Sequence, residues 1–390
     1  MSRTELGSNT ALVEEPVTQH RRTAQPEADP SIILPSEERE ELRSVIAQFV
    51  ARHATHEDVR ASTEADPGFS QARWATLNEE LEISALAVPE DLGGHGFGFG
   101  DLGVVLEETG AALLPEPILA SAVVGCRALV RADDTEAISG LLADVIAGRV
   151  TLAVALDASV ALDEDGDRVG AEQKTEGVLW GAAADHLVVV ATHGGSDVLA
   201  VIDLSDAARH PREVMDLTRR RADLDLADAP ARVIVGAERL GEVLAELRRV
   251  QSAALAAEHA GIAAHLVDIT VAYVQQRHQF GRAIGSFQAI KHRLADMLVD
   301  RERARAAAMY AMAILDEPDA ADAEIAVAVA SAVCADAATR SAYEAIQLHG
   351  GIGFTWEHSA HFYLRRVLGD EGAFGGGRQA RRVVADLVGV

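Results

Sequence analysis

Cysteine, long apolar runs and positive charge are all scarce in this chain, and each shortage removes a class of function. Only two cysteines, Cys126 and Cys334, occur in 390 residues. Each lies in apolar helical sequence far from the other, so they read as buried thiols of a reducing compartment, not as a disulfide or metal pair. No apolar stretch reaches the roughly 18 residues a membrane helix requires, and no charged-then-apolar start suggests a secretory signal. A cytoplasmic chain without a membrane partner is expected. Lys and Arg number 35 against 61 Asp and Glu, a net charge of −26. Phosphate neutralisation needs the opposite balance, so nucleic acid is excluded as the main partner. His292 follows Gln288 by one helical turn without acidic or cysteine companions at ligand spacing, and no metal site is read. No internal repeat is visible, and the only compositional bias is in Ala-rich helices.

What is present is a segregated pattern of periods. Hydrophobic residues make up 48% of the chain, enough for two or three modules packed as one subunit. Residues 1–30 mix Thr, Glu, Gln, Arg and Pro without periodicity and read as a disordered leader. Order is expected from Pro35-Ser36-Glu37-Glu38, with Ser36 as N-cap and the acids complementing the helix dipole. Across 31–149, apolar residues recur at three- and four-residue steps (Leu42, Val45, Ile46, Phe49, Val50; later Leu102, Val105, Leu106). Gly-rich turns at 92–100 and prolines at 115 and 117 separate the helices of this N-terminal domain. Over 150–236 the period changes to short β-rich runs: Val150–Leu156, Gly177–Trp180, His186–Ala191, Val198–Ile202 and Arg232–Val235. These predict a small antiparallel barrel or sandwich. From 237 to 390 the helical period returns, with helices near 238–276, 286–316, 319–348, 357–367 and 378–388, broken at Phe280-Gly281 and Glu317-Pro318. Helices, then strands, then helices define an α+β fold with segregated layers.

The most informative segment is 277–292. It places Arg277, the Phe280-Gly281 break, Phe287 and Gln288 where one long helix ends and the next begins. A guanidinium can clamp a pyrophosphate bidentately, a ring offers a stacking face, and an amide reads a heterocycle edge. The set suits a dinucleotide held without a Gly-rich βαβ loop.

Residues 277–288 resemble the Arg-x-x-Phe-Gly-x-x-Ile-x-x-Phe-Gln segment of the acyl-CoA dehydrogenase family. Gln347-Leu348-His349-Gly350-Gly351-Ile352-Gly353-Phe354-Thr355 resembles that family's Gln-x-x-Gly-Gly-x-Gly-Phe-Thr segment, and Val88–Gly96 is similar to its Pro-Glu-x-x-Gly-Gly-x-Gly turn. The three are correctly ordered over about 265 residues. The resemblance implies a helical domain, a β-barrel and a C-terminal four-helix bundle, FAD as cofactor, and α,β-dehydrogenation of an acyl-CoA substrate. In such a reaction a carboxylate removes the α-proton, the thioester oxygen is polarised by hydrogen bonds, and a flavin takes the hydride. Arg277, Phe280, Gln288, Gln347, Gly350 and Gly351 match positions that hold FAD in the family, largely that of a neighbouring subunit. The glycines also let backbone approach a phosphate or adenine where no Cβ intervenes. An oligomer is therefore implied, either a homotetramer or an α2β2 heterotetramer with a related chain, passing electrons to an electron-transfer flavoprotein or similar acceptor. The overall acidity sits awkwardly with an anionic CoA ester, but Arg365-Arg366 and Arg378 with Arg381-Arg382 offer local basic clusters.

Other family positions diverge. Ala155-Leu156-Asp157-Ala158-Ser159 stands where the family has Thr-Glu-Pro-x-x-Gly-Ser. Trp180 is the nearest remnant of the second flavin-facing motif, and reads more readily as a barrel-core residue. Ungapped counting from Gly350 places Phe374 where the catalytic Glu belongs. A three-residue deletion would bring in Glu371-Gly372, with Arg378 matching the Arg seven residues after the base. Gln251 occupies the alternative base position 26 residues before Arg277. Glu371 is the candidate base, with Asp370, Glu258 or a base on a partner chain as alternatives. The 347–366 segment looks most like sterol-side-chain α2β2 dehydrogenases, and Trp356 and His358 are candidates for an acyl pocket or for helix-start packing. Two rivals stand beside the catalytic subunit: a non-catalytic partner chain, and a same-fold flavin oxidase or hydroxylase.

Overall fold

The computed structural model describes residues 30–34, 36–317 and 322–390. The leader expected over 1–30, apart from Pro30, and the break residue Pro318 lie outside them. Ser36 caps α1 (Glu37–His53) as its sequence suggests: its hydroxyl accepts the Arg39 N–H at 3.1 Å, and Glu37, Glu38 and Glu40 occupy the first turn. Then come α2 (His56–Glu64), α3 (Gln71–Glu80), α4 (Phe99–Ala111), α5 (Cys126–Val130) and α6 (Ser139–Ile146), with a buried π-helical segment, Ile118–Gly125, ahead of α5. Of the expected apolar face, Ile46, Phe49, Leu102, Val105 and Leu106 are buried and Leu42 and Val50 partly so, whereas Val45 is 42% exposed.

The middle of the chain forms β1 (Leu152–Ala161), β2 (Lys174–Leu179), β3 (His186–His193), β4 (Ser196–Asp203), β5 (Ala208–Pro211), β6 (Arg221–Asp225) and β7 (Ala231–Val235). Of the two expected forms, an antiparallel barrel or a sandwich, the sandwich is the one observed, and one strand pair departs from the antiparallel expectation. One sheet has the order β1-β3-β4-β7 and the other β2-β6-β5, and neither closes on itself. β2 crosses to the second sheet, so β1 and β3 become neighbours running in the same direction. The sheets share a core of Ala153, Leu187, Val189, Ala200 and Ile202 from one side and Val178, Ala222 and Leu224 from the other, which is a sandwich. β5 and β6 were not legible as strands. In β6 only Ala222 and Leu224 are buried, with Arg221, Asp223 and Asp225 between and around them.

The C-terminal part contains α7 (Ala237–Gln276), the two-residue ribbons β8 (His278–Gln279) and β9 (Arg282–Ala283), α8 (Gln288–Ala313), α9 (Ala323–His349), α10 (Ala360–Phe374) and α11 (Gly377–Val388). Helices α7, α8 and α9 pack on one another, α10 and α11 lie against α9, and α4 covers α7. By length and composition α9 and the turn after it could cross a membrane, but here α9 is the central helix of the bundle. Two glycines set the α4–α7 contact. A Cβ on Gly110 would collide with the backbone of Glu258, and one on Gly261 with the Glu107 carbonyl. The helices therefore meet backbone to backbone, which fixes the turn of α7 that carries Glu258 and His259. The helix expected at 357–367 runs on to Phe374 despite Gly369 and Gly372, because Asp370 is pinned inside the protein.

Candidate active site

Two separate regions gather the residues singled out by the sequence. The first is the end of the bundle. Tyr273, one turn before the end of α7, packs its ring 4.4 Å from that of His349 and donates its hydroxyl to the His349 carbonyl at 3.2 Å. This clasp brings the α7–α8 connection and the end of α9 together. Arg277, Phe280, Gln288, Gln347, Gly350 and Gly351 are all exposed there. Phe280 is 91% exposed and has φ +53°, a conformation a bulky residue rarely adopts and a placement that forfeits hydrophobic burial. Its ring meets Phe287 edge-on at 6.1 Å, and Arg282 stacks on Phe287 at 4.0 Å. Gly350, with φ +63°, and Gly351 have open space where a Cβ would project. An unburied guanidinium, an outward ring, two amides and bare backbone form an open cradle. These are the donors and surfaces a dinucleotide needs, and they fit FAD.

The second region is a cavity of about 670 Å³ between α7, the first half of α9, the end of α10 and α11. Gln251, Ser252, Leu255, Ala256 and His259 form its α7 wall, and Glu371, Phe374 and Val383 face them. Arg248 stands at its edge, donating to Asp157 at 2.9 Å. Asp157 lies in the bulge that interrupts β1–β3 pairing between Ala155 and Ser159, the stretch where the flavin-facing motif has diverged. None of the six cradle residues lines this cavity. The structure keeps Glu371 and the cofactor candidates in different places on one chain. Glu371 is exposed on the last turn of α10, and no Glu-Gly turn follows a helix end here. A second cavity of about 350 Å³ adjoins the first, shares His259 and Glu371 with it, and includes Arg340, Arg378 and Arg381.

Behind the cavity wall lies a buried ionic cluster. Arg219, 2% exposed, bridges Glu258 and Asp370. Its cation is further stabilised: burial alone would lower its pKa, but Asp370, Glu258 and Asp216 push it up. Burial alone would raise the Asp370 carboxyl, yet Arg219, His259 and Arg366 bring it down to about 2. Arg366 pairs with Asp216 at 3.2 Å and donates to the Thr218 hydroxyl at 2.8 Å. His259 meets the second Asp370 oxygen at 3.0 Å. Glu258 and Asp370, both weighed as bases, are thus committed to Arg219. Sequence reasoning missed Arg219 and His259. The signal for His259 was available: it lies eight residues after Gln251, on the same helical face.

Trp180 is buried, donates to the Pro115 carbonyl at 2.9 Å and lies under Arg219 at 5.7 Å, so it is a core residue. Trp356 is half exposed between Arg365 and Arg60. His358 packs 4.2 Å from His349, in a histidine group that includes His56, His265 and His361. Burial depresses all five, taking His265 and His358 to about 4. The two thiols are buried, and burial pushes both pKa values up, that of Cys126 to about 12.

Comparison with known proteins supports this architecture. Residues 36–149 match the acyl-CoA dehydrogenase N-terminal domain and residues 207–388 the acyl-CoA dehydrogenase C-terminal domain. The chain is 35% identical over 354 residues to acyl-CoA dehydrogenase IpdE2 of Mycolicibacterium smegmatis, covering 90% of this chain and 99% of that protein. It is 34% identical over 339 residues to IpdE2 of Mycobacterium tuberculosis, covering 86% and 93%. Among solved structures, the ChsE4-ChsE5 complex from Mycobacterium tuberculosis is similar with a TM-score of 0.82 and 28% identity, over 92% of this chain and 99% of that one. With both end domains matched and close relatives over nearly its whole length, this chain belongs to the acyl-CoA dehydrogenase family of FAD-dependent oxidoreductases.

Proposed function

We propose that the chain is a subunit of an oligomeric dehydrogenase acting on a CoA thioester with a bulky, ring-bearing acyl group. The observation that carries this reading is the separation of the two regions: an exposed dinucleotide cradle on one face and a roomy cavity elsewhere on the same chain. Arg277 would clamp the FAD pyrophosphate, Phe280 would stack, and Gln288 and Gln347 would bond polar edges. Gly350 and Gly351 would admit the cofactor backbone closely. Bound FAD would supply the acceptor for the hydride leaving the acyl β-carbon. The cavity takes the acyl group against Leu255, Ala256, Phe374 and Val383, and excludes water from it. Glu371, at the rim, is the carboxylate we assign to proton removal on this chain.

A cradle facing outward needs a second chain to complete a site. The likeness to the ChsE4-ChsE5 complex supports an assembly of two unlike chains such as α2β2, and the likeness to the Tcur3481-Tcur3483 steroid ACAD variant, at 29% identity and a TM-score of 0.80, supports a sterol-derived acyl group. An electron-transfer flavoprotein or a similar acceptor would reoxidise the flavin. A non-catalytic partner role is the second reading, favoured by the continuous α10 that leaves Glu371 outside a family-like Glu-Gly turn. The experiment is flavin occupancy. Purified wild-type assembly carries FAD that an acyl-CoA bleaches anaerobically, and Arg277→Ala loses the flavin on dilution with helicity intact. Full flavin retention in that variant contradicts the assignment.

A further inference from the structure

We propose that His358 is a positioning residue for the cofactor: through His349 and Tyr273 it keeps the FAD cradle in shape, and only while its ring is uncharged. The inference rests on the cradle reading and adds to it the device that shapes the cradle, with a pH dependence.

The cradle glycines lie in a loop whose two ends meet. His349 closes α9, Gly350 and Gly351 follow it, and His358 stands just ahead of α10 with its ring 4.2 Å from that of His349. The other neighbour of the His349 ring is Tyr273, 4.4 Å away, whose hydroxyl donates to the His349 carbonyl at 3.2 Å. Arg277 follows Tyr273 by one helical turn, and its N–H donates to the Tyr273 carbonyl at 2.9 Å. The three rings therefore join the helix end that carries Arg277 to the loop that carries Gly350 and Gly351.

The hydrogen bonds fix the charge state. The Ala360 N–H can only donate, and it reaches His358 Nδ1 at 3.1 Å, so that nitrogen bears the lone pair. His349 Nδ1 lies 2.7 Å from the Ala345 carbonyl, which can only accept, so there the nitrogen bears the proton. A second proton on the His358 ring has to go to Nδ1, where it would face the Ala360 N–H at the positive end of the α10 dipole. The surroundings offer no relief. The titratable groups around the ring are His349, His56 on α2 and His361 on α10. Beyond them stand Glu57 and Arg60 of α2, Arg365 of α10, and His265 and Asp268 of α7. Among the described residues the imidazoles paired with carboxylates are His95 and His259, and neither belongs to this group. His56 Nε2 and His361 Nδ1 are buried without any partner. Burial first, then the neighbouring histidines, hold His358 near 4.

The sign follows. A ring released from the stack titrates near 6.5, so acid favours the released form and a loosened cradle. One proton taken up across that window weakens FAD binding by about 20-fold between pH 7 and 5. His278 and His292, exposed near Arg277 and Gln288, would gain charge beside an anionic cofactor and strengthen binding, the opposite sign.

The experiment dilutes the flavin-bearing assembly at pH values from 7.5 to 5, follows released FAD by fluorescence and monitors helicity alongside. Wild type should lose FAD affinity by about 20-fold between pH 7 and 5 with helicity intact. His358→Asn keeps an oxygen that can accept the Ala360 N–H, as in an Asx turn, but has no proton to gain. It should flatten the profile and bind FAD more tightly than wild type at pH 5. His358→Gln is the substitute should the Asn variant fail to assemble. Tyr273→Phe removes the clasp bond and should weaken FAD by about 2- to 10-fold at every pH. A flat wild-type profile, the wild-type slope surviving in the His358 variant, or unchanged affinity in Tyr273→Phe overturns the proposal. The cradle reading itself falls on different evidence, an assembly that carries no FAD at pH 7.5.

Discussion

Helix α7 passes through two environments that treat charge in opposite ways. At His259 it lies inside a closed ionic cluster where each cation has a carboxylate and exposure is a few per cent. At Arg277, about 27 Å further along at 1.5 Å per residue, it ends in an open cradle of exposed guanidinium, ring, amides and glycines. The interior region is complete within the chain. The cradle leaves its polar groups facing outward, and Phe280 accepts both an unfavourable φ and a water-facing ring. Residues in the first region should act on folding when changed, and residues in the second on cofactor and assembly.

The largest expected effect is in the interior. Arg219→Met removes the cation between Glu258 and Asp370, leaving the buried Glu258 carboxylate without a cation and Asp370 with only its His259 contact, a cost of about 3–5 kcal/mol. The variant should be largely insoluble or should melt far below wild type in thermal denaturation. A wild-type melting temperature would show that the cluster contributes little. Arg277→Ala comes second. Losing a charge-assisted bidentate contact costs about 2–3 kcal/mol, roughly 30- to 150-fold in FAD affinity, while the melting temperature of the apo-assembly should hardly move. If the stability falls instead, the boundary between the two regions is misplaced.

The smallest effect is pH dependence, and its sign separates the regions. His265 and His358 are held near 4, first by burial and then, for His358, by neighbouring histidines. Their unfolded value is about 6.5, so the unfolded chain binds more protons and stability falls as pH drops from about 6.5 towards 4. Asp370, at about 2 in the fold, holds its contribution down to the unfolded carboxylate value near 3.9 and loses it only below. Between pH 7 and 5 the melting temperature should fall by a few degrees, and His358→Gln should reduce the fall. A flat profile over that range would contradict the account.

The parts legible in the sequence were those with local causes. The period of 3.6 gave α7, α8, α9 and α11 to within a few residues, and the N-cap at Ser36 held. Spacing placed the motif residues at helix ends because Arg277, Gln288 and Gln347 flank breaks in that period. What sequence could not show were contacts between distant segments. β6 alternates apolar with charged residues and did not stand out. α10 outlasts two glycines because Asp370 reaches Arg219, 151 residues earlier in the chain. The same long-range pairing hid His259, which meets Asp370, 111 residues later in the chain, beside a cavity formed by four helices.

On the proposed reading the cradle of one chain faces the flavin of a neighbouring subunit, while the cavity of the same chain receives the acyl group. Light scattering with simultaneous flavin absorbance, over a dilution series, tests it most directly. FAD should travel with a tetramer or heterotetramer and be released as the assembly dissociates. A stable monomer that retains FAD at full stoichiometry would contradict it.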